Sequence, residues 1–218
     1  MNLIVFDLEW NIGYQPKTFL YHGTELTLRG EIIQIGAARI NDRGDVLDTF
    51  EVNLKPHIFR KLQHHIAKVT GLSQGDLDAG LPMKEGLQKF LDWAGDDAEL
   101  AEWGLDDVPV LKQNLFLVGL DENWPNRWYD LQRIFLQAYP RKEGEGLTLE
   151  SVVDRLGIPK EEPFHNALDD GQILAIKMND GEPVQNVPRS VKEEGHQILK
   201  LEDNEDGTYT LIVRKVEE

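Results

Sequence analysis

Acidic residues and one histidine stand at three points of the sequence where chain geometry could make them act together. Asp7 and Glu9 close the apolar run Leu3-Ile4-Val5-Phe6 in the segment FDLEW. In an extended strand alternate side chains share a side, so the two acids converge while Leu8 faces away, and such a pair can hold a hard cation. An Asp-x-Glu at a strand end also serves as a solvated loop entry or a helix cap. Asp106 and Asp107 follow the apolar stretch AELAEW and open the helically spaced set Val108, Leu111, Leu115 and Val118. The helix macrodipole alone favours acids in such a first turn. His165 and Asp170 lie in HNALDD, where the spacing can bring an imidazole and a carboxylate to one metal-bound water. The plainer alternative makes His165 and Asp169 or Asp170 ordinary helix-start residues.

The elements that would position these groups follow from periodicity. Residues 2–7 read as a short buried strand, and EIIQIGAARI, 31–40, as a second with small residues for close packing. Asn41-Asp42-Arg43-Gly44 is turn chemistry and 45–54 has strand character, so 31–54 is expected to form a hairpin. Met83, Leu87, Phe90, Leu91 and Ala94 recur at helical spacing; AELAEW is a short strand, and a second helix follows it. Residues 127–138 read as a strand running into a helix, 147–156 as a helix capped by Thr148, and a last helix starts near Asn166. Strands first, then helices alternating with strands, point to an α/β mixed sheet with helices packed on it. This core is expected over 1–180, a polar linker over 181–197, and a β-hairpin around an Asp-Gly turn over 198–218. A lone hairpin is marginally stable, so it is expected to dock on the core or on a protein partner.

Composition narrows the classes. The 218 residues carry 40% hydrophobic and 28% charged side chains, and no tract is apolar enough for a membrane span. The absence of cysteine excludes disulfides and thiolate metal sites and suits a cytoplasmic protein, as does an N-terminus without the features of a secretory signal. A net charge of −16 argues against tight nonspecific binding to duplex nucleic acid. The charge is uneven: no acid lies between Glu51 and Asp76, where Lys55, Arg60, Lys61 and Lys68 stand with His57, His64 and His65. That stretch is a candidate phosphate-facing surface, the alternative being a solvated basic helix.

Taken in order, the three acidic segments resemble the DEDDh exonucleases, the group of DnaQ-like proofreading subunits, ribonuclease T and their relatives. The resemblance runs from Met1 to about Met178. The family's Asp-x-Glu on the first strand matches Asp7 and Glu9; its Asp followed four places on by an apolar residue matches Asp107 and Leu111; its His-x4-Asp matches His165 and Asp170. EIIQIGAA is similar to the family's second strand and KVTGLS to a loop near the substrate's 3′ end, which makes Thr70 and Leu72 candidate substrate contacts. FDLEW, the long insertion before EIIQIGAA, and HNALDDG look more like the KapD-like and histone-mRNA-exonuclease branch than the polymerase-associated one. Asp106 stands where an aromatic is usual, so it rivals Asp107 as a ligand, with the spacing to Leu111 favouring Asp107. Gly171 replaces a common alanine.

The resemblance implies a ribonuclease H-like, five-stranded mixed sheet flanked by helices, and 3′-to-5′ hydrolysis of phosphodiesters in single-stranded RNA or DNA ends. It also implies two Mg²⁺ ions, with Mn²⁺ able to substitute. One ion would activate water and the other stabilise the leaving oxygen. Asp7 would bridge them, Glu9 and Asp170 would sit on the water-activating ion, and Asp107 would order the other through water. His165 would act as general base, a task its ordinary pKa of about 6.5 suits. Trp10 and Tyr14 are candidates for stacking on bases, with core packing the alternative for Trp10. A phosphatase reading needs Asp-x-Asp, and Glu9 occupies the second position. The remaining alternative is a catalytically weak nuclease fold that binds nucleic acid or protein.

Overall fold

In the computed structural model, residues 2–41, 45–139, 147–156, 197–203 and 209–214 are described. The elements in chain order are β1 Leu3–Asn11, β2 Thr18–Tyr21, β3 Thr24–Thr27, β4 Glu31–Ile40, β5 Val46–Lys55, α1 His64–Thr70 and α2 Gln74–Ala79. They continue with β6 Leu81–Pro82, α3 Met83–Ala94, β7 Glu99–Glu102, α4 Asp107–Val118, β8 Arg127–Asp130, α5 Leu131–Ala138, α6 Leu149–Leu156, β9 Gln197–Asp203 and β10 Tyr209–Arg214. The main sheet has the order β6-β5-β4-β1-β7-β8. Its β5, β4 and β1 are antiparallel neighbours, whereas β7 runs parallel to β1 and β8 parallel to β7. The mixed sheet expected from the sequence is therefore present, and the two-residue β6 adds a sixth strand at one edge.

The apolar pattern explains why β4 is central. Nine of its ten residues are buried, and Gly36, Ala37 and Ala38 leave room for cover on both faces. On one face Ile4, Phe6, Leu8, Ile35, Leu54, Leu87, Phe90, Leu111 and Leu115 form the larger core under α3 and α4. Val5, Ile40 and Ala101 begin a second cluster on the other face with Leu3, Trp103, Tyr129, Leu131 and Leu149. Thr148 caps α6 by accepting the Ser151 N–H at 3.2 Å, as its sequence position suggests.

Several elements differ from their sequence reading. β1 runs to Asn11, beyond the expected end at residue 7. The insertion before β4 folds into the two-stranded sheet β2-β3, so the first quarter of the chain holds five strands rather than three. The segment with the basic cluster is largely loop, and only its end forms α1. β9 and β10 pair as the expected hairpin. Among the described residues no helix is long and apolar enough to cross a membrane.

Candidate active site

β1 carries the first two acids into the middle of the sheet. Ile4, Phe6 and Leu8 point to the α3/α4 core, so Asp7 and Glu9 share the opposite face with Val5. Both are half-buried. Asp7 lies opposite Gly36 of β4 and Glu9 opposite Gln34, whose amide donates to Asn53 Oδ1 at 3.0 Å and to Glu51 Oε1 at 3.3 Å.

The second motif reaches this strand through its backbone. β7 pairs with β1 at Leu3, Ile4 and Val5 and then turns away. Asp107, at the start of α4, sends its carboxylate back so that Oδ1 accepts the Leu8 N–H at 3.1 Å, between the two acids of β1. Asp107 is buried, whereas Asp106 is exposed and paired with Arg29 at 2.7 Å. The neighbours thus have different surroundings: one faces β1, the other the β3–β4 connection.

Glu102, the last residue of β7, escaped the sequence reading. It is fully buried; Oε2 accepts the Val108 N–H at 3.0 Å, and Oε1 is a buried oxygen without a hydrogen-bond partner. Burial pushes its carboxyl up to about 7 against the pull of the α4 amides. Burial, then repulsion from Glu102, raises Asp107 as well, against the Leu8 hydrogen bond. The available signal was a second glutamate closing the strand after Leu100 and Ala101, which also reads as a solvated strand end.

Two further buried polar residues build the rim. Asn11 closes β1 by donating to Phe59 O at 2.7 Å and Lys61 O at 2.8 Å while accepting the Gln63 N–H at 3.1 Å. Glu31 opens β4 and accepts the N–H groups of His57 at 2.8 Å, Ile58 at 2.7 Å and Phe59. Together they fix the 56–63 loop over the sheet end where β1 finishes. Three consecutive amides form a cup of the kind that binds anions, and here a side chain of the protein fills it.

α1 packs against β1 just beyond this loop. Gly71 ends α1 at φ 73°, a left-handed conformation that costs glycine little. Thr70 uses its hydroxyl to donate to Ile66 O at 3.0 Å and to accept the Leu72 N–H at 3.2 Å, so it shapes the turn; Leu72 is half-exposed beside it. Trp10 packs against the larger core, and a Cβ on Gly30 would lie 2.3 Å from its ring, whereas Tyr14 is 78% exposed. His165 and Asp170 lie outside the described residues. Among the described residues no three acid or histidine side chains form a group able to hold a metal ion.

A shorter family match, to the sulfurtransferase TusA, covers residues 165–215. Sulfur transfer through a persulfide needs a cysteine thiol, which the chain lacks. Over 79% of its length the chain is 27% identical to the DNA polymerase III PolC-type of Clostridium perfringens, of which it spans only 10%. Over 81% it is 23% identical to the probable 3′-5′ exonuclease KapD of Bacillus subtilis and spans 82% of that protein. Among solved structures, the nuclease domain of 3′hExo, a DEDDh family member, bound to rAMP, matches with a TM-score of 0.65 at 19% identity. The match covers 88% of this chain and 92% of that one, and the shared fold is the ribonuclease H-like one expected. Residues 4–177 match the RNase T exonuclease model, and the chain belongs to that exonuclease family.

Proposed function

We propose that the chain is a divalent-metal-dependent exonuclease of the DEDDh type, shortening single-stranded RNA or DNA from the 3′ end. The observation that carries this reading is the Asp107 carboxylate seated on the Leu8 amide between Asp7 and Glu9. It joins acids about a hundred residues apart in sequence at one point of the sheet. The described acids are not by themselves a complete metal group, and Asp170 and His165 lie outside the described residues. The donor chemistry nonetheless suits a hard cation: the donors are all oxygen, Asp107 is raised by burial, and beside it Glu102, raised likewise, keeps Oε1 without a partner. A nearby cation relieves such crowded carboxylates. Asp7, Glu9, Asp107 and Asp170 would hold two Mg²⁺ ions, or Mn²⁺ in their place. Bound there, the ions supply an activated water and charge stabilisation for the leaving oxygen.

The chain's own residues do the rest. Strand alternation puts Asp7 and Glu9 on one face and the Leu8 amide anchors Asp107 beside them, which limits the reorganisation that binding requires. His165 accepts the proton of the attacking water. Thr70 shapes the turn that presents Leu72 to the terminal nucleotide, and exposed Tyr14 offers a stacking surface. The rAMP in the 3′hExo structure supports RNA as one substrate. The family match ending at 177 supports a catalytic unit over 1–180, with the linker and hairpin as an appendage that could meet a protein partner. The absence of cysteine supports a cytoplasmic setting.

The test is digestion of 5′-labelled single-stranded RNA and DNA with Mg²⁺, Mn²⁺ or EDTA, with Asp7→Ala as control. The expected result is a ladder shortening from the 3′ end, abolished by EDTA and by Asp7→Ala. A folded protein that cuts neither strand with either metal would sink the reading and leave the binding module in its place.

A further inference from the structure

The basic residues of the 55–60 stretch come together at a pocket separate from the acidic cluster. It has a volume of about 670 Å³ and is lined by Lys55, His57, Arg60 and Lys84 with Met83 and Leu117 among its apolar residues. Among the described residues none of the three cations is paired with a carboxylate: Lys55 donates to the Asp78 carbonyl at 3.1 Å and Arg60 to that of His57 at 3.0 Å. A lysine or arginine held by a carbonyl keeps its charge and further donors. The acid in the lining, Glu31, has its carboxylate engaged by three backbone N–H groups. On a chain of net charge −16, such a concave site is distinctive.

Its place in the fold gives it a use. Lys55 ends β5, which is two strands from β1 across β4, so it stands roughly 10 Å across the sheet from the Asp7–Glu9 strand. β5 and β1 both finish at the same end of the sheet, because each is antiparallel to β4. The loop between the two places is the one that Asn11 and Glu31 fix. The pocket opens on the α3/α4 side, so a strand running from the acids to the pocket crosses that loop.

We propose that this pocket binds the single-stranded nucleic acid upstream of the cleaved end, with cations on its phosphates and apolar residues against a base. The proposal rests on the exonuclease reading for the position of the 3′ end. It accounts for how so acidic a protein retains a polyanion: attraction is concentrated in one concave site, where fields focus. Substrates too short to reach the pocket gain nothing from it.

The test compares the wild type with the Lys55→Ala/Arg60→Ala/Lys84→Ala variant on a dinucleotide and a dodecanucleotide. Alongside, anisotropy measures binding of the labelled dodecanucleotide over a salt series, in EDTA so that no cleavage occurs. In the variant, KM for the dodecanucleotide is expected to rise about tenfold with kcat unchanged, while the dinucleotide kinetics stay as in the wild type. The log–log salt slope of binding should fall by about 2, as loss of three single-strand phosphate contacts requires. An unchanged dodecanucleotide KM and salt slope would overturn the pocket, and equal losses on both substrates would overturn it too. A wild type that cuts neither substrate would refute the exonuclease reading, and the salt slope would still decide whether the pocket holds the strand. Free 5′-AMP that competes fully at concentrations matching the strand would assign the pocket to a mononucleotide and overturn the strand proposal.

Discussion

Glu102 and Asp107 place two carboxyls in one apolar corner, and the metal-free protein bears the cost. Burial raises both, so the folded chain keeps protons that the unfolded chain has already released. The contribution to stability is complete below the ordinary carboxylate range and is lost as pH rises through neutrality. In EDTA the thermal midpoint should therefore be several degrees higher near pH 5.5 than near pH 8. Mg²⁺ should raise the midpoint more at pH 8 than at pH 5.5, because it replaces the proton. Glu102→Gln keeps an acceptor for the Val108 N–H and removes the charge. It should flatten the pH dependence of the midpoint in EDTA; an unchanged profile would mean that Glu102 is not its source. Asp107→Asn can still accept from the Leu8 N–H, so it should fold normally while turnover falls about a hundredfold or more. Asp7 and Glu9 were legible because strand alternation places them without any tertiary knowledge. Glu102 was not, since only the approach of α4 reveals that this strand end is dry.

At the scale of elements, segments that bury a continuous face were legible, as were the short strands β7 and β8, whereas segments held only by distant partners were not. β4, α3 and α4 each bury a continuous face, which leaves a pattern in the sequence. The hairpin β2-β3 has strands of four residues, with Leu20 exposed, and is held from outside by stacking of Phe19 on Phe116 at 5.5 Å and the edge of Tyr21 at 4.7 Å. Nothing local announces it. α2 has six residues and is fixed by the Ser73–Asp76 capping box, a signal too short for periodicity. The 56–63 loop depends on partners far away in sequence, so its order rests on single side chains. Asn11→Ala would strand two carbonyls and one N–H, costing about 2–4 kcal/mol in urea unfolding. The same variant should raise KM if this loop guides the substrate, and an unaltered KM would confine Asn11 to stability.

At the scale of the whole molecule, the family match ends before the C-terminal strands begin. Residues 4–177 carry the exonuclease resemblance, and β9-β10 form a sheet of their own. A chain ending at Asp180 should keep the turnover of the full chain on short single strands; a loss of folding would show that the tail completes the core. Within the sheet, one rung has a different kind of partner from its neighbours. Where β7 leaves β1, the next amide of the ladder, that of Leu8, is covered by the Asp107 carboxylate rather than by a backbone carbonyl. A side chain rotates far more readily than a strand separates. Deuterium uptake at the Leu8 amide thus reads the rotameric life of one carboxylate, and a change in that uptake on adding Mg²⁺ would report ion occupancy without any substrate present.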